Sequence, residues 1–222
     1  MENNYTVQDI FQKFGTDYIN QYNLSDEQWK VVNAIRKCKT KELGIHTITC
    51  SECGEVTIGY NSCRNRHCPM CQSYAREKWI DNESKYLLDC AYFHIITTVP
   101  AELNEIAMYN QKDFYNILLK ATSESILELT NDPKWLGAKV GITSILHTWG
   151  QTMEFHPHVH NIVTGGGISN NEWLETKENY IFKVQVLSSL FKQKFISMLK
   201  NITLNLPEDM KKLKDPKELN NF

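Results

Sequence analysis

The chain has no long apolar run. Its longest stretch, Tyr92 to Val99, is broken by His94 and Thr97 and falls far short of the roughly 20 residues a membrane-spanning helix needs. The opening MENNYTVQDI has neither the basic nor the apolar part of a secretory signal, so a cytoplasmic protein is expected. Excess charge of either sign is missing too. With 24 Lys and Arg against 26 Asp and Glu, the chain as a whole carries no electrostatic sign of a nucleic-acid partner. There is no internal repeat and no low-complexity segment. What remains is an ordinary globular composition, 41% hydrophobic and 23% charged over 222 residues. That length holds one large domain or a small module with a medium one.

What is present is unevenly spread. Between Lys30 and Trp79 there are nine basic residues and four acidic ones, with Arg64, Arg66 and Arg76 as candidate DNA contacts. This modest basic patch is compatible with DNA and equally with a solvated charged surface. Of the seven cysteines, all but Cys90 fall between Cys38 and Cys71. In a reducing compartment such clustering favours metal ligation over disulfides. Cys50-x-x-Cys53 and Cys68-x-x-Cys71 are two knuckles of the kind that presents paired sulfurs to one zinc ion. Four further candidates lie alongside: Cys38, His46, Cys63 and His67. Joining alternate pairs assigns Cys50, Cys53, Cys68 and Cys71 to one zinc and Cys38, His46, Cys63 and His67 to a second, giving one or two structural ions.

Helical spacing of apolar residues runs from Val7 to Ile35, with Ser25 as a candidate N-cap of a second helix. From Cys38 to Cys71 no long period survives, and the segment reads as short strands and metal-held turns. A helix resumes near Gln72 and reaches Cys90. Tyr92 to Val99 reads as a strand, Glu102 to Met108 and Asp113 to Leu129 as helices. Lys139 to Trp149 and Phe155 to Thr164 read as strands, the second closed by Gly165-Gly166-Gly167, and Val186 to Leu199 is an amphipathic helix. This order is α+β with an antiparallel central sheet. The expected division is a helical and zinc-binding module over 1–90, a sheet domain over 91–204 and a polar tail over 205–222.

His156-Pro157-His158-Val159-His160 is the second chemical feature. On a strand His158 and His160 share one face, half of a divalent-metal site, with Val159 turned to the core. A hairpin turning at Gln151 to Glu154 brings His147 beside them as third ligand, with His156 and Glu154 as reserves. Such a site could polarise a phosphate, activate a water or do neither.

These residues resemble a family. The segment from Cys38 to Gln72, with its SCRNRHCPMCQ core, looks like the zinc-binding domain of the rolling-circle tyrosine transposases of insertion-sequence family ninety-one. FHIITTVP (Phe93 to Pro100) and LHTWGQTMEFHPHVHNIVTGGG (Leu146 to Gly167) resemble two motifs of its catalytic domain, where a His-hydrophobic-His pair marks the HUH endonuclease fold. The resemblance implies an antiparallel sheet with flanking helices. It implies Mg²⁺ or Mn²⁺ held by His158, His160 and His147, and single-stranded or hairpin DNA ends as partner. Cleavage in the family runs through a tyrosine on a helix downstream of the sheet, and that motif does not occur here. The only tyrosine after His160 is Tyr180, in a segment expected to precede the next helix. The expectation is therefore a transposase fragment without its nucleophile; the alternatives are a zinc-dependent DNA-binding regulator and a metallohydrolase.

Overall fold

Two helices open the chain, each started by a side chain that satisfies its first free N–H groups. Thr6 caps α1 (Val7–Gln21) with Asp9, and Ser25 caps α2 (Asp26–Lys37) with Gln28, both as reciprocal capping boxes. In this computed structural model residues 5–177, 180–206, 208 and 219 are described. Backbone contacts divide the chain into two units, Met1–Leu87 and Leu88–Phe222. Most of the polar tail expected over 205–222 lies outside the described residues.

In the first unit, β1 (Ile45–Thr49) and β2 (Val56–Tyr60) form an antiparallel hairpin with Ile45 opposite Tyr60 and Thr49 opposite Val56. Nearly all of it is exposed, and α3 (Pro69–Ser84) buries none of its residues. The unit's apolar centre is Ile35, Cys38 and Cys68, with Phe11, Val31, Cys63, Met70 and Cys71 around them. Half of these side chains are cysteines. So small a core cannot offset the entropy of ordering the segment without help. The third helix starts at Pro69 rather than near Gln72 because proline's fixed φ suits the first helical position. It ends at Ser84, short of the expected Cys90.

The second unit runs β3 (Tyr92–Thr98), α4 (Asn104–Tyr109), α5 (Gln111–Asn131), β4 (Lys139–Trp149), β5 (Phe155–Ser169), β6 (Glu172–Glu175) and α6 (Val184–Lys200). This is the α+β, antiparallel architecture expected. The fifth strand is central: β4 pairs along one side of it, β3 and then β6 along the other. It runs through Gly165–Gly167, where the sequence pattern placed its end. At these positions a Cβ would meet the Ala91 carbonyl at 2.7 Å, the Trp173 ring at 2.5 Å and the Lys139 carbonyl at 2.6 Å. The glycines let the neighbouring strands close in, so the sheet continues and gains β6.

One face of this sheet is covered. Val159 and Val163 point into the helices and are fully buried, in two clusters that include Phe114, Leu118, Phe195 and Leu199 on one side and Ile126, Val140, Ile181 and Phe182 on the other. Each such side chain contributes roughly 1.5–3 kcal/mol by leaving water. Phe114 and Phe195 meet edge to face at 5.3 Å, and Lys194 of α6 reaches Glu128 of α5 at 2.8 Å. Asn161 is also fully buried, yet Ser144 donates to its Oδ1 at 2.7 Å and its Nδ2 donates to the Ile95 carbonyl at 3.0 Å. That side chain ties three strands together and fixes which residues of β5 face outward. Among the described residues no helix is long and apolar enough to cross a membrane.

Candidate metal centres

In the first unit the structure brings together Cys38, Cys63, Cys68 and Cys71, whose sulfurs all lie within 4.8 Å of one another. The end of α2 supplies Cys38, the loop after β2 supplies Cys63, and the first turn of α3 carries the other two. Cys38 and Cys71 sulfurs stand 3.5 Å apart, Cys63 and Cys71 sulfurs 3.7 Å. Four thiolates on zinc at about 2.3 Å would be spaced about 3.8 Å from one another, so the set fits a tetrahedral ion. Burial pushes the Cys38 and Cys63 thiols up. Burial also opposes a thiolate at Cys68, but the Cys71 N–H and the three neighbouring thiols outweigh it and hold Cys68 below the usual thiol range. Burial thus works against several thiolates side by side, and a bound cation would offset their mutual repulsion.

This corrects the ligand partition read from spacing. Cys50 and Cys53 do not join Cys68 and Cys71; they sit exposed at the tip of the β1–β2 hairpin. There the Cys53 and Glu52 N–H groups and the Cys53 side chain lower the Cys50 thiol. The hairpin carries this knuckle out on two strands, a displacement invisible in sequence separation. Nor do His46 and His67 join Cys38 and Cys63. His46 Nδ1 is held by Asn61 Oδ1 at 2.9 Å and its ring covers Gly59, while His67 Nε2 accepts from Arg66 Nε at 3.1 Å. Among the described residues Cys50, Cys53, His46 and His67 belong to no group of three convergent ligands. Arg64, Arg66 and Arg76 are all exposed, with Arg76 paired to Glu77 at 2.9 Å.

On the uncovered face of the sheet the structure brings together His147, His158 and His160, again with ligand atoms within 4.8 Å. Register explains the convergence. His147 lies directly opposite His158 across the β4–β5 hairpin, whose turn at residues 150–154 is closed by Gly150 N–H donating to the Glu154 carbonyl. Nε2 of His158 and Nε2 of His160 are 3.0 Å apart, and the His147 ring meets the other two edge-on at 5.3 and 4.9 Å. Partial burial, then the nearby His147, His158 and His94, lower the His160 value, which favours its neutral ring. Neutral imidazole is the form that binds metal. His156 turns aside to Thr98 Oγ1 at 3.0 Å, and Glu154 is exposed in the turn.

The model for the transposase zinc-binding domain matches residues 10–99, and a second model, described as "Putative transposase", matches residues 141–222. A Sinorhizobium fredii protein named "Putative transposase y4qJ" is 42% identical over 196 residues, covering 87% of this chain and 49% of its own. The chain belongs to the insertion-sequence transposase family numbered ninety-one. The transposase for insertion sequence element IS801 of Pseudomonas savastanoi pv. phaseolicola is 33% identical over 147 residues, 65% of this chain and 35% of that one. The chain therefore spans about half, or less, of the length of the curated relatives it matches. A metal-bound conjugative relaxase TrwC in complex with oriT DNA superposes on 52% of the chain and 46% of its own at TM-score 0.41 and 11% identity; family membership rests on the sequence matches.

Two features of the histidine sheet were missed in sequence. His94 stands diagonally across from His160, with its Nε2 2.8 Å from His160 Nδ1 and the rings stacked at 5.0 Å. The period-2 alternation of FHIITTVP held this signal, but only the register of β3 on β5 turns it into a contact. Asn161 looked like any polar residue of a strand. Tyr180 rests against Trp135 at 6.2 Å; Trp135 and the following Ile181 and Phe182 belong to a core cluster on the helix-covered side of the sheet, the side away from the histidines.

Proposed function

We propose that this chain is the DNA- and metal-binding part of a rolling-circle transposase, acting on single-stranded or hairpin DNA ends in the cytoplasm. The carrying observation is the convergence of His147, His158 and His160 on an exposed sheet face. In this reading Cys38, Cys63, Cys68 and Cys71 hold one structural zinc. Arg64, Arg66 and Arg76 contact phosphates, positioning DNA without reading its sequence. The histidine trio holds Mg²⁺ or Mn²⁺, and three nitrogen donors favour the transition ion over Mg²⁺, which prefers oxygen. When bound, such an ion supplies Lewis acidity to a scissile phosphate and a template for its orientation. The chain's own part is to hold three imidazoles rigidly around one point. The central strand does this by burying Val159 between His158 and His160 and Asn161 just after them.

Strand cleavage needs an in-line nucleophile within about 3–3.5 Å of the phosphorus. Tyr180 stands with the opposite side of the sheet, so binding without covalent attachment is the activity expected of this chain. The test is a labelled single-stranded oligonucleotide from an element's end, incubated with zinc-loaded protein with and without Mn²⁺. Salt-sensitive binding that Mn²⁺ strengthens, and that loses this increment in His158→Ala, supports the reading. A covalent protein–DNA band abolished by Tyr180→Phe would contradict it, as would binding indifferent to both salt and His158.

A further inference from the structure

What the histidine trio can bind depends on where each ring carries its proton, and the neighbours of each ring settle that. The His156 carbonyl can only accept, and it lies 2.8 Å from Nδ1 of His158. A His158 ring with a single proton therefore carries it on Nδ1 and turns the lone pair of Nε2 towards the other histidines. His160 has no carbonyl to fix it. Its Nδ1 faces Nε2 of His94 at 2.8 Å, and its Nε2 faces Nε2 of His158 at 3.0 Å. With one proton on each ring, all three contacts are satisfied together in one direction only: His94 Nε2–H donates to His160 Nδ1, His160 Nε2–H to His158 Nε2, and His158 Nδ1–H to the carbonyl. That relay places a proton on the atom of His160 that a metal ion would need.

We propose that His94 is a positioning residue that reverses its hydrogen bond when a divalent cation binds. In the loaded form His160 carries its proton on Nδ1 and donates it to His94 Nε2, and His94 carries its own proton on Nδ1. Each ring keeps one proton throughout, so only the tautomers change. The inference rests on the divalent-cation reading of the trio. Only a side chain that both donates and accepts at this point can serve both states, and a ring nitrogen on an adjacent strand does so without moving the backbone. Partners that orient a ligating histidine through its second nitrogen are worth about 10- to 100-fold in metal affinity.

The experiment uses the full chain with its cysteine site filled by zinc. Mn²⁺ affinity is measured by calorimetry for the wild type, His94→Phe, His94→Gln and His158→Ala. Nitrogen-15 spectra record the His160 ring before and after Zn²⁺ is added beyond the cysteine site. His94→Phe should lose about 10- to 100-fold in affinity. His94→Gln, whose amide can donate or accept, should stay within about threefold of wild type. The His160 proton should move from Nε2 to Nδ1 on loading. Wild-type affinity in His94→Phe, or a loaded His160 without a proton on Nδ1, overturns the role of His94 while leaving the metal site standing. A wild type that binds no Mn²⁺, or His158→Ala binding as well as wild type, overturns the metal site and this inference with it.

Discussion

The cysteine unit and the histidine sheet use the same kind of residue to opposite ends. In the first, the candidate ligands are the core: Cys38 and Cys68 are fully buried beside Ile35, while the strands of the hairpin and the whole of α3 bury almost nothing. In the second, the core is complete without them. Val159 and Val163 bury one face of β5 under three helices, and the histidines stand on the other face, half-exposed. A buried ligand set makes folding depend on the ion. A displayed one leaves the ion free to exchange and to meet a substrate.

The largest effect separates these two uses. Removing zinc with a chelator, or Cys68→Ser, should unfold the first unit outright, since structural zinc contributes on the order of 10 kcal/mol to small zinc modules. Hydrogen exchange should then show protection lost before Leu87 and kept in β5. Cys50→Ser, at the exposed hairpin tip, should leave zinc content and protection unchanged. If Cys50→Ser also unfolds the unit, the hairpin pair is part of the folding site and the new partition is wrong. Next comes Phe195→Ala, which should cost the second unit about 3–5 kcal/mol in denaturant unfolding with no effect on zinc content. A smaller loss is expected from Gly166→Ala, about 1–3 kcal/mol, because its Cβ would press on the Trp173 ring and the Leu174 carbonyl; an unchanged midpoint would show that β6 yields easily. The smallest is Lys194→Ala. Its contact with Glu128 at 2.8 Å is partly exposed, and about 0.2–1 kcal/mol should be lost, falling with added salt.

Sequence reading reached the two units for different reasons and stopped at different places. Period-2 alternation at His158-Val159-His160 and the turn residues before them were enough to bring His147 into the trio, because an antiparallel hairpin converts sequence distance directly into register. The cysteine partition failed where a loop does not obey such a rule. Two C-x-x-C knuckles look equivalent on paper, yet one is lifted away on a hairpin and the other sits in the first turn of a helix. Gly165–Gly167 read as an end of strand because glycine usually breaks one; only the crowding by Ala91, Lys139 and Trp173 shows why glycine was needed there. His94 and Asn161 lay beyond reach because their roles exist only across strands distant in sequence.

The most direct test is a calorimetric titration of Mn²⁺ into the zinc-loaded chain and its His158→Ala variant, with the melting of the second unit followed on the same two proteins before any Mn²⁺ is added, since a bound ion would itself raise the melting temperature. The account predicts one Mn²⁺ bound per wild-type chain, none at the same concentrations in the variant, and the same melting temperature for both. A variant that still binds Mn²⁺, or one whose sheet unit melts well below the wild type, would contradict the claim that these histidines are a metal site displayed on an already complete fold.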